Sequence, residues 1–177
     1  MRVLTAVVIC LLCAGHAAAQ TSEVSKSDAR VRDMALNSLA LLGPAAAEFA
    51  EHIARKLSDP AGFVRLKAAF TLQAIGDLDG EPVLHALIRG LDDADAFVAA
   101  TAAGVLGHVR TPSNLLVAAL VRALDNPDPR VRANSATSLG QLQAPQPAAR
   151  AALERRLEDR DTWARCAILE ALRTLGT

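Results

Sequence analysis

Arg130-Val131-Arg132-Ala133-Asn134-Ser135-Ala136-Thr137-Ser138-Leu139-Gly140 decides the fold, because its pattern returns at a fixed interval along the chain. Val131 has counterparts at Val31, Val64, Val98 and Ala164, and the spacing between successive members of the five never varies by more than a single position. Four positions further on stand Ala35, Ala68, Ala102, Ser135 and Ile168. Eight further on stand Leu39, Leu72, Leu106, Leu139 and Leu172, and eleven further on Leu42, Ile75, Val109, Leu142 and Leu175. Such offsets fall on one stripe of an α-helix, so each copy opens with an amphipathic helix of roughly three to four turns.

A second apolar stripe follows in each copy. It runs through Phe49, Ile53 and Leu57; Leu84, Leu87, Ile88 and Leu91; Leu116, Leu120 and Leu124; and Ala149, Leu153 and Leu157. Each copy is then a helix hairpin. One hairpin of short helices cannot bury both apolar faces, whereas stacked copies share a continuous core. The expected repeat domain is all-α and covers 27–177, with units at 27–57, 58–91, 92–124 and 125–157. A half-repeat at 158–177 closes it as a cap whose Arg165, Glu170 and Arg173 face water.

The starts of the first helices carry their own signals. Asp28, Asp95, Asp128 and Asp161 precede the leading residue by three and are expected N-caps. Pro129 suits the first helical position. Arg32, Arg132 and Arg165 follow three of these aspartates at i+4, a pairing that contributes about 0.3–0.5 kcal/mol each. The second copy has Ala61 at the cap and Asp59-Pro60 before it, so its turn is expected to differ. Gly43, Gly76 and Gly176 stand where left-handed C-caps would end the helices.

These residues resemble the short HEAT-like repeats first associated with phycobilin lyases: an acid-rich turn, Val-Arg, small residues, then Leu-Gly. The resemblance implies a right-handed α-solenoid of about four and a half repeats whose second helices line the concave face. Arg55, Arg89, Arg122 and Arg155 each stand two residues before the leucine that ends a second helix. The resemblance thus implies a ladder of guanidinium groups able to grip carboxylates or phosphates in bidentate fashion. The plainer alternative is that these arginines complement helix dipoles and pair with Asp59, Asp93 and Asp159. A second column holds Arg30, Phe63, Phe97, Arg130 and Trp163. Its aromatic rings are expected to pack against the preceding layer, with Trp163 the exposed exception and a candidate for partner contact.

Composition narrows the function. Of 177 residues 51% are hydrophobic, and 19 Lys+Arg balance 19 Asp+Glu. Neutrality argues against nucleic acid as partner, and no polybasic run marks a membrane surface. Catalysis finds little support. His52, His85 and His108 lie in different columns, without the i, i+4 spacing of a helical zinc site. There is no Gly-x-Ser-x-Gly elbow and no phosphate loop. The resemblance extends to a group of iron-dependent hydroxylases with repeated His-Glu pairs, and no His-Glu dipeptide occurs here. Asp77-Leu78-Asp79-Gly80-Glu81 lacks the third aspartate and distal glutamate of a calcium loop and reads as a helix-helix turn. The expected role is a non-catalytic scaffold without cofactor or metal that holds a protein or peptide partner. The resemblance leaves an accessory subunit or lyase-like enzyme related to chromophore-attachment factors as the alternative.

The N-terminus speaks to location. Arg2, an apolar run from Val3 to Cys13, and Ala17-Ala18-Ala19 before Gln20 follow the grammar of a cleavable signal peptide over 1–19. The run falls short of the roughly 20 residues of a membrane span. Leu12 before Cys13 is too large for a lipidation site. Residues 20–26 form a polar leader, and the exported chain is expected in the periplasm or outside the cell. Cleavage removes Cys10 and Cys13, leaving Cys166 either as a small buried hydrophobe or as an exposed thiol. N-terminal sequencing of chain purified from its native cells is expected to begin at Gln20. A first residue of Met1 would overturn the export reading.

Overall fold

The computed structural model describes residues 22–142 and 147–176, so the expected signal peptide lies outside the described residues. The chain divides into two compact units at Gly76 and Asp77. All regular structure among the described residues is helical, and the fold is of the α-solenoid class.

In unit 1, helix α1 runs Ser22–Leu42, followed by a 3-10 stretch Gly43–Phe49, a short α2 at Ala50–Ala54, a 3-10 turn Arg55–Ser58, and α3 at Gly62–Ile75. Helix α1 begins earlier than expected. Ser22 to Ser27 contain neither Gly nor Pro, so nothing there stops the helix. The polar leader is therefore helical from Ser22, and Asp28 sits inside the helix and not at its N-cap. The second helix of this copy departs in the other direction. Gly43-Pro44 opens it and Ala46 leaves helical geometry, which breaks the expected helix into 3-10 and α pieces. Its apolar stripe survives, with Phe49, Ile53 and Leu57 buried beside Leu36, Leu39, Val64, Ala68 and Leu72. Each such leucine, fully buried, contributes about 1.5–3 kcal/mol.

Unit 2 contains α4 (Glu81–Gly90), α5 (Ala96–Leu106), α6 (Asn114–Ala123), α7 (Pro129–Gln141), α8 (Pro147–Glu154) and α9 (Thr162–Leu175). The first helices α5, α7 and α9 pack side by side, and the second helices α4, α6 and α8 lie against them in turn. Small residues allow close approach. A Cβ on Gly107 would lie 3.0 Å from Ser138 Cα, and one on Gly140 would lie 3.0 Å from Ala171 Cα. Backbones this near leave room for side-chain hydroxyls and amides to cross between helices. Ser138 Oγ donates to Ala103 O at 2.7 Å, and Asn134 Nδ2 donates to Ala100 O at 2.7 Å. In unit 1 Thr71 Oγ1 donates to Leu36 O at 3.2 Å in the same register as Ser138.

The turns between copies follow one plan. Asp59, Asp93, Asn126 and Asp159 each accept a hydrogen bond from the backbone N–H two residues on, at 2.8–3.0 Å. Ala61 therefore does not alter the turn of the second copy; it removes only the side-chain cap. Asp95, Asp128 and Asp161 cap α5, α7 and α9 as expected. Gly76 and Gly43 adopt left-handed φ values of 76° and 55°. Gly176 does not: α9 ends with it in right-handed geometry, at φ −97°.

Arginine holds these turns. Arg132 donates from Nε and NH2 to the two Asp159 oxygens, at 2.7 Å each, and from NH1 to the carbonyls of Asn126 and Pro127, at 2.9 Å each. One guanidinium thus ties the turn before α7 to the turn after α8. In unit 1 Arg32 makes the same bidentate pair with Asp59, at 2.7 and 2.9 Å, with both side chains buried. The expected i, i+4 pairs do not form: Arg32 and Arg132 reach forward to these carboxylates, while Asp128 pairs with Arg130 at 2.7 Å. The reason is dielectric. A buried, two-pronged carboxylate contact is stronger than an exposed helical pair, and the N-cap carboxylate is already aimed at the helix amides.

The apolar columns are buried with few departures. Leu42 is exposed because Gly43 turns the chain directly after it, and Leu157 is exposed because α8 ends at Glu154. Leu172 and Leu175 of α9 are half-buried.

Replacing Arg132 with Ala is expected to destabilise the fold by about 3 kcal/mol in urea unfolding, because it leaves a nearly buried carboxylate alone. Asp159→Asn should cost less, since an amide oxygen still accepts the turn N–H, as Asn126 does. The Arg132 guanidinium holds the Asp159 carboxyl below its ordinary range. That stabilisation is present above the unfolded-state value near pH 4 and is lost as pH falls through the lower folded-state value. Arg132→Ala should remove this part of the acid dependence.

Candidate functional site

The arginine column occupies the C-terminal ends of the second helical segments. Arg89 lies in the last turn of α4, Arg122 in the last turn of α6, and Arg155 directly after α8; all three are exposed. Arg55, in unit 1, opens the 3-10 turn that follows α2 and is exposed as well. The positions favour cations, because unpaired carbonyls at a helix C-terminus carry partial negative charge.

Their expected acidic partners are engaged elsewhere. Asp59 and Asp159 belong to Arg32 and Arg132, not to Arg55 and Arg155. What forms instead is an exposed link from Arg122 to Asp92 at 3.1 Å, with Arg156 paired to Asp125 in the next copy. Arg55, Arg89 and Arg155 make no ion pair with any described residue. Exposed pairs such as Arg122–Asp92 contribute about 0–1 kcal/mol and weaken in salt, so an incoming carboxylate can replace them.

Between α6 and α8 lies an open groove of about 430 Å³. Ala118, Val121, Leu124 and Ala152 give it an apolar lining, and Arg122, Arg155, Arg156 and Asp125 give it charge. The structure therefore brings Arg122 and Arg155 to one groove and keeps Arg89 one helix away at the same end of the layer.

The aromatic column is more exposed than the sequence suggests. Phe63 is 51%, Phe97 58% and Trp163 53% exposed, so about half of each side chain faces solvent. Their position, one residue before the buried leader, lies about 100° around the helix from the apolar stripe. Phe97 is covered by the Arg130 guanidinium, 3.9 Å from the ring centre. Arg130 in turn holds the Asp128 carboxyl below its usual range.

Helix α9 presents an outer face unlike those of α5 and α7. Where α5 offers Ala100, Ala103, Gly104 and Gly107, α9 offers Cys166, Leu169, Glu170 and Arg173 at the equivalent positions. Cys166, Leu169 and Glu170 are exposed, Glu170 and Arg173 form an ion pair, and Trp163 stands on the same side of the helix start. Arg165, expected to face water, turns back to donate to Asp159 O at 2.6 Å. Cys166 is an exposed thiol and not a core residue.

Among the remaining candidates Asp79 has a structural part. Asp79 accepts from the backbone N–H groups of Arg110 and Thr111 and from Arg110 Nε at 2.7 Å, fixing the turn before α6. His85 and His108 stand on different elements of unit 2, and among the described residues no three His, Cys, Asp or Glu gather as a metal site. None of the described helices is long and apolar enough to cross a membrane.

Comparison with known proteins agrees with this architecture. The HEAT repeat profile matches residues 84–173, just over half of the chain, and the profile of the PBS lyase HEAT-like repeat matches residues 64–93. No curated protein matches the sequence. Among solved structures, one similar chain comes from the CpcE–CpcF complex of phycocyanin lyase from Nostoc sp. It shares 19% identity at a TM-score of 0.65, covering 94% of this chain and 98% of that one. A designed armadillo repeat protein in complex with the peptide (KR)4 shares 17% identity at a TM-score of 0.61, covering 97% and 81%. An engineered protein shares 18% identity at 0.66, covering 95% and 79%.

Because Cys166 is exposed, Cys166→Ser is expected to leave the unfolding midpoint unchanged, within about 0.5 kcal/mol. The native thiol should react with Ellman's reagent without denaturant. Protection until unfolding would contradict the exposed placement.

Proposed function

The chain belongs to the HEAT repeat family, and on that premise we propose that it is a non-catalytic scaffold, exported from the cytoplasm, that holds a protein or peptide partner along its second helices. The observation that carries this reading is the surface of α4, α6 and α8. Arg89 and Arg155 stand without an ion pair among the described residues, and Arg155 lines a groove together with Ala118, Val121 and Ala152. Stacked repeats suit such a role because they present extended surface without a convergent catalytic centre. Export is supported by the N-terminal run from Val3 to Ala19, and the non-catalytic role by the scattered histidines.

Two structural relatives bear on the choice of partner. The armadillo design was solved with a peptide, which supports peptide binding as a use of this architecture. The CpcE–CpcF relative, matched over 98% of its length, supports the second reading: an accessory subunit or lyase-like enzyme acting within a two-chain complex.

A photo-crosslinking residue at Ala118, exposed at the groove, is expected to capture one dominant partner in the native cell envelope. A control at Asn37 on α1 should not. Ala at all four of Arg55, Arg89, Arg122 and Arg155 should lower that capture at unchanged stability. Capture of the chain by itself alone would replace partner binding with self-association.

A further inference from the structure

We infer that the partner segment held by α4, α6 and α8 is acidic and extended, with a carboxylate at every third residue. This deepens the reading of the second helices as the binding surface and rests on it.

Charge sets the sign. Arg89 and Arg155 have no ion pair among the described residues, and Arg122 has only the exposed link to Asp92. At the α8 end, Arg155, Arg156 and Arg160 face Asp125 and Glu158, and Arg156 already neutralises Asp125. The surplus at the α8 end is therefore cationic, whereas at the α4 end the sign rests on the unpaired guanidinium of Arg89. Guanidinium groups bind carboxylates in a planar, two-pronged contact, and here two of three stand ready without first giving up a partner.

Spacing sets the register. Arg89, Arg122 and Arg155 occupy the same place in successive copies, one repeat period apart. Helices packed side by side stand about 8–10 Å apart, which is the interval at which side chains from equivalent positions of successive copies can meet one ligand. A polyproline-II chain rises about 3.1 Å per residue with three residues per turn, so every third side chain returns to one face after about 9.3 Å. A β-strand fits less well, because residues three apart point to opposite sides. A helical partner would match the rungs only with acids about seven residues apart. Its body, about 10–12 Å across, is wider than the space between two helices of this layer. The groove beside Ala118, Val121 and Ala152 takes small or proline side chains between the acids.

The test is fluorescence anisotropy of the full chain with labelled synthetic peptides at low salt, all carrying the same number of acids. One peptide repeats Glu-Pro-Ala, and others place Glu at every second, every fourth or, in an alanine-rich helix, every seventh residue. A charge-reversed control repeats Lys-Pro-Ala. The Glu-Pro-Ala peptide is expected to bind about tenfold tighter than any other, with affinity falling as salt rises. Arg89→Ala and Arg155→Ala should each weaken it about tenfold, the loss of a charge-assisted contact. Lys at both positions should recover only part, and melting curves should stay unchanged because neither side chain belongs to the core. Equal binding of all acidic spacings overturns the register. Tighter binding of the helical peptide overturns the extended form. Failure of every acidic peptide, or equal binding of the Lys peptide, overturns the acidic chemistry. In each of these cases a partner captured at Ala118 leaves the binding surface standing, whereas loss of that capture removes the surface itself.

Discussion

The contact between Arg132 and Asp159 shows what this stack depends on. A chain of helix pairs keeps its register only if successive turns stand at a fixed interval, and apolar packing alone tolerates sliding. A planar guanidinium that reaches the carboxylate of one turn and the carbonyls of the turn before it fixes that interval through a single rigid fork of donors. Because the carboxylate side is nearly buried, the pair cannot be half made without leaving a charge in poor solvent. Arg32 and Asp59 solve the same problem in unit 1. The cores above and below can then be built mostly from alanine, leucine and valine, with close approach at Gly107 and Gly140 in place of bulky interdigitation.

The third copy shows the rule by its exception. Ala99 stands where Arg32 and Arg132 stand in their copies, and the turn residue that such an arginine would meet is Asn126 and not aspartate. Cation and anion are missing together. The amide keeps the local role, accepting the Asp128 N–H at 2.9 Å, without placing an unpaired charge near the core. Electrostatics thus constrains two positions nearly a whole repeat apart as one unit, while the backbone turn is constrained separately.

The repeat was legible in the sequence because helical burial writes itself at regular offsets, and Val131, Ser135 and Leu139 obey that rule without help from distant residues. N-caps were legible for the same reason: Asp95, Asp128 and Asp161 act on amides two or three residues away. The clamps were not, because Arg32 and Arg132 choose partners in the following turn of the stack, and a nearer aspartate satisfies the usual helical spacing. The signal was present as a column, arginine with aspartate against alanine with asparagine, yet it needs the hairpin geometry to show which columns meet. The arginines Arg55, Arg89, Arg122 and Arg155 could be found by alignment of copies, but their surroundings and the diversion of Asp59 and Asp159 to other partners required the fold. Phe63 and Phe97 misled for a related reason: an aromatic ring suggests burial, and their angular position just before the stripe outweighs that preference.

The missing clamp at Ala99 has a mechanical meaning. Within unit 2 the distance between the turns flanking α7 and α8 is set by a stiff, buried strut, whereas the turns flanking α5 and α6 are joined by packing and by the exposed Arg122–Asp92 link. The groove that Arg122 and Arg155 line therefore belongs to the clamped interval, and Arg89, one helix away, stands beside the interval that carries no clamp.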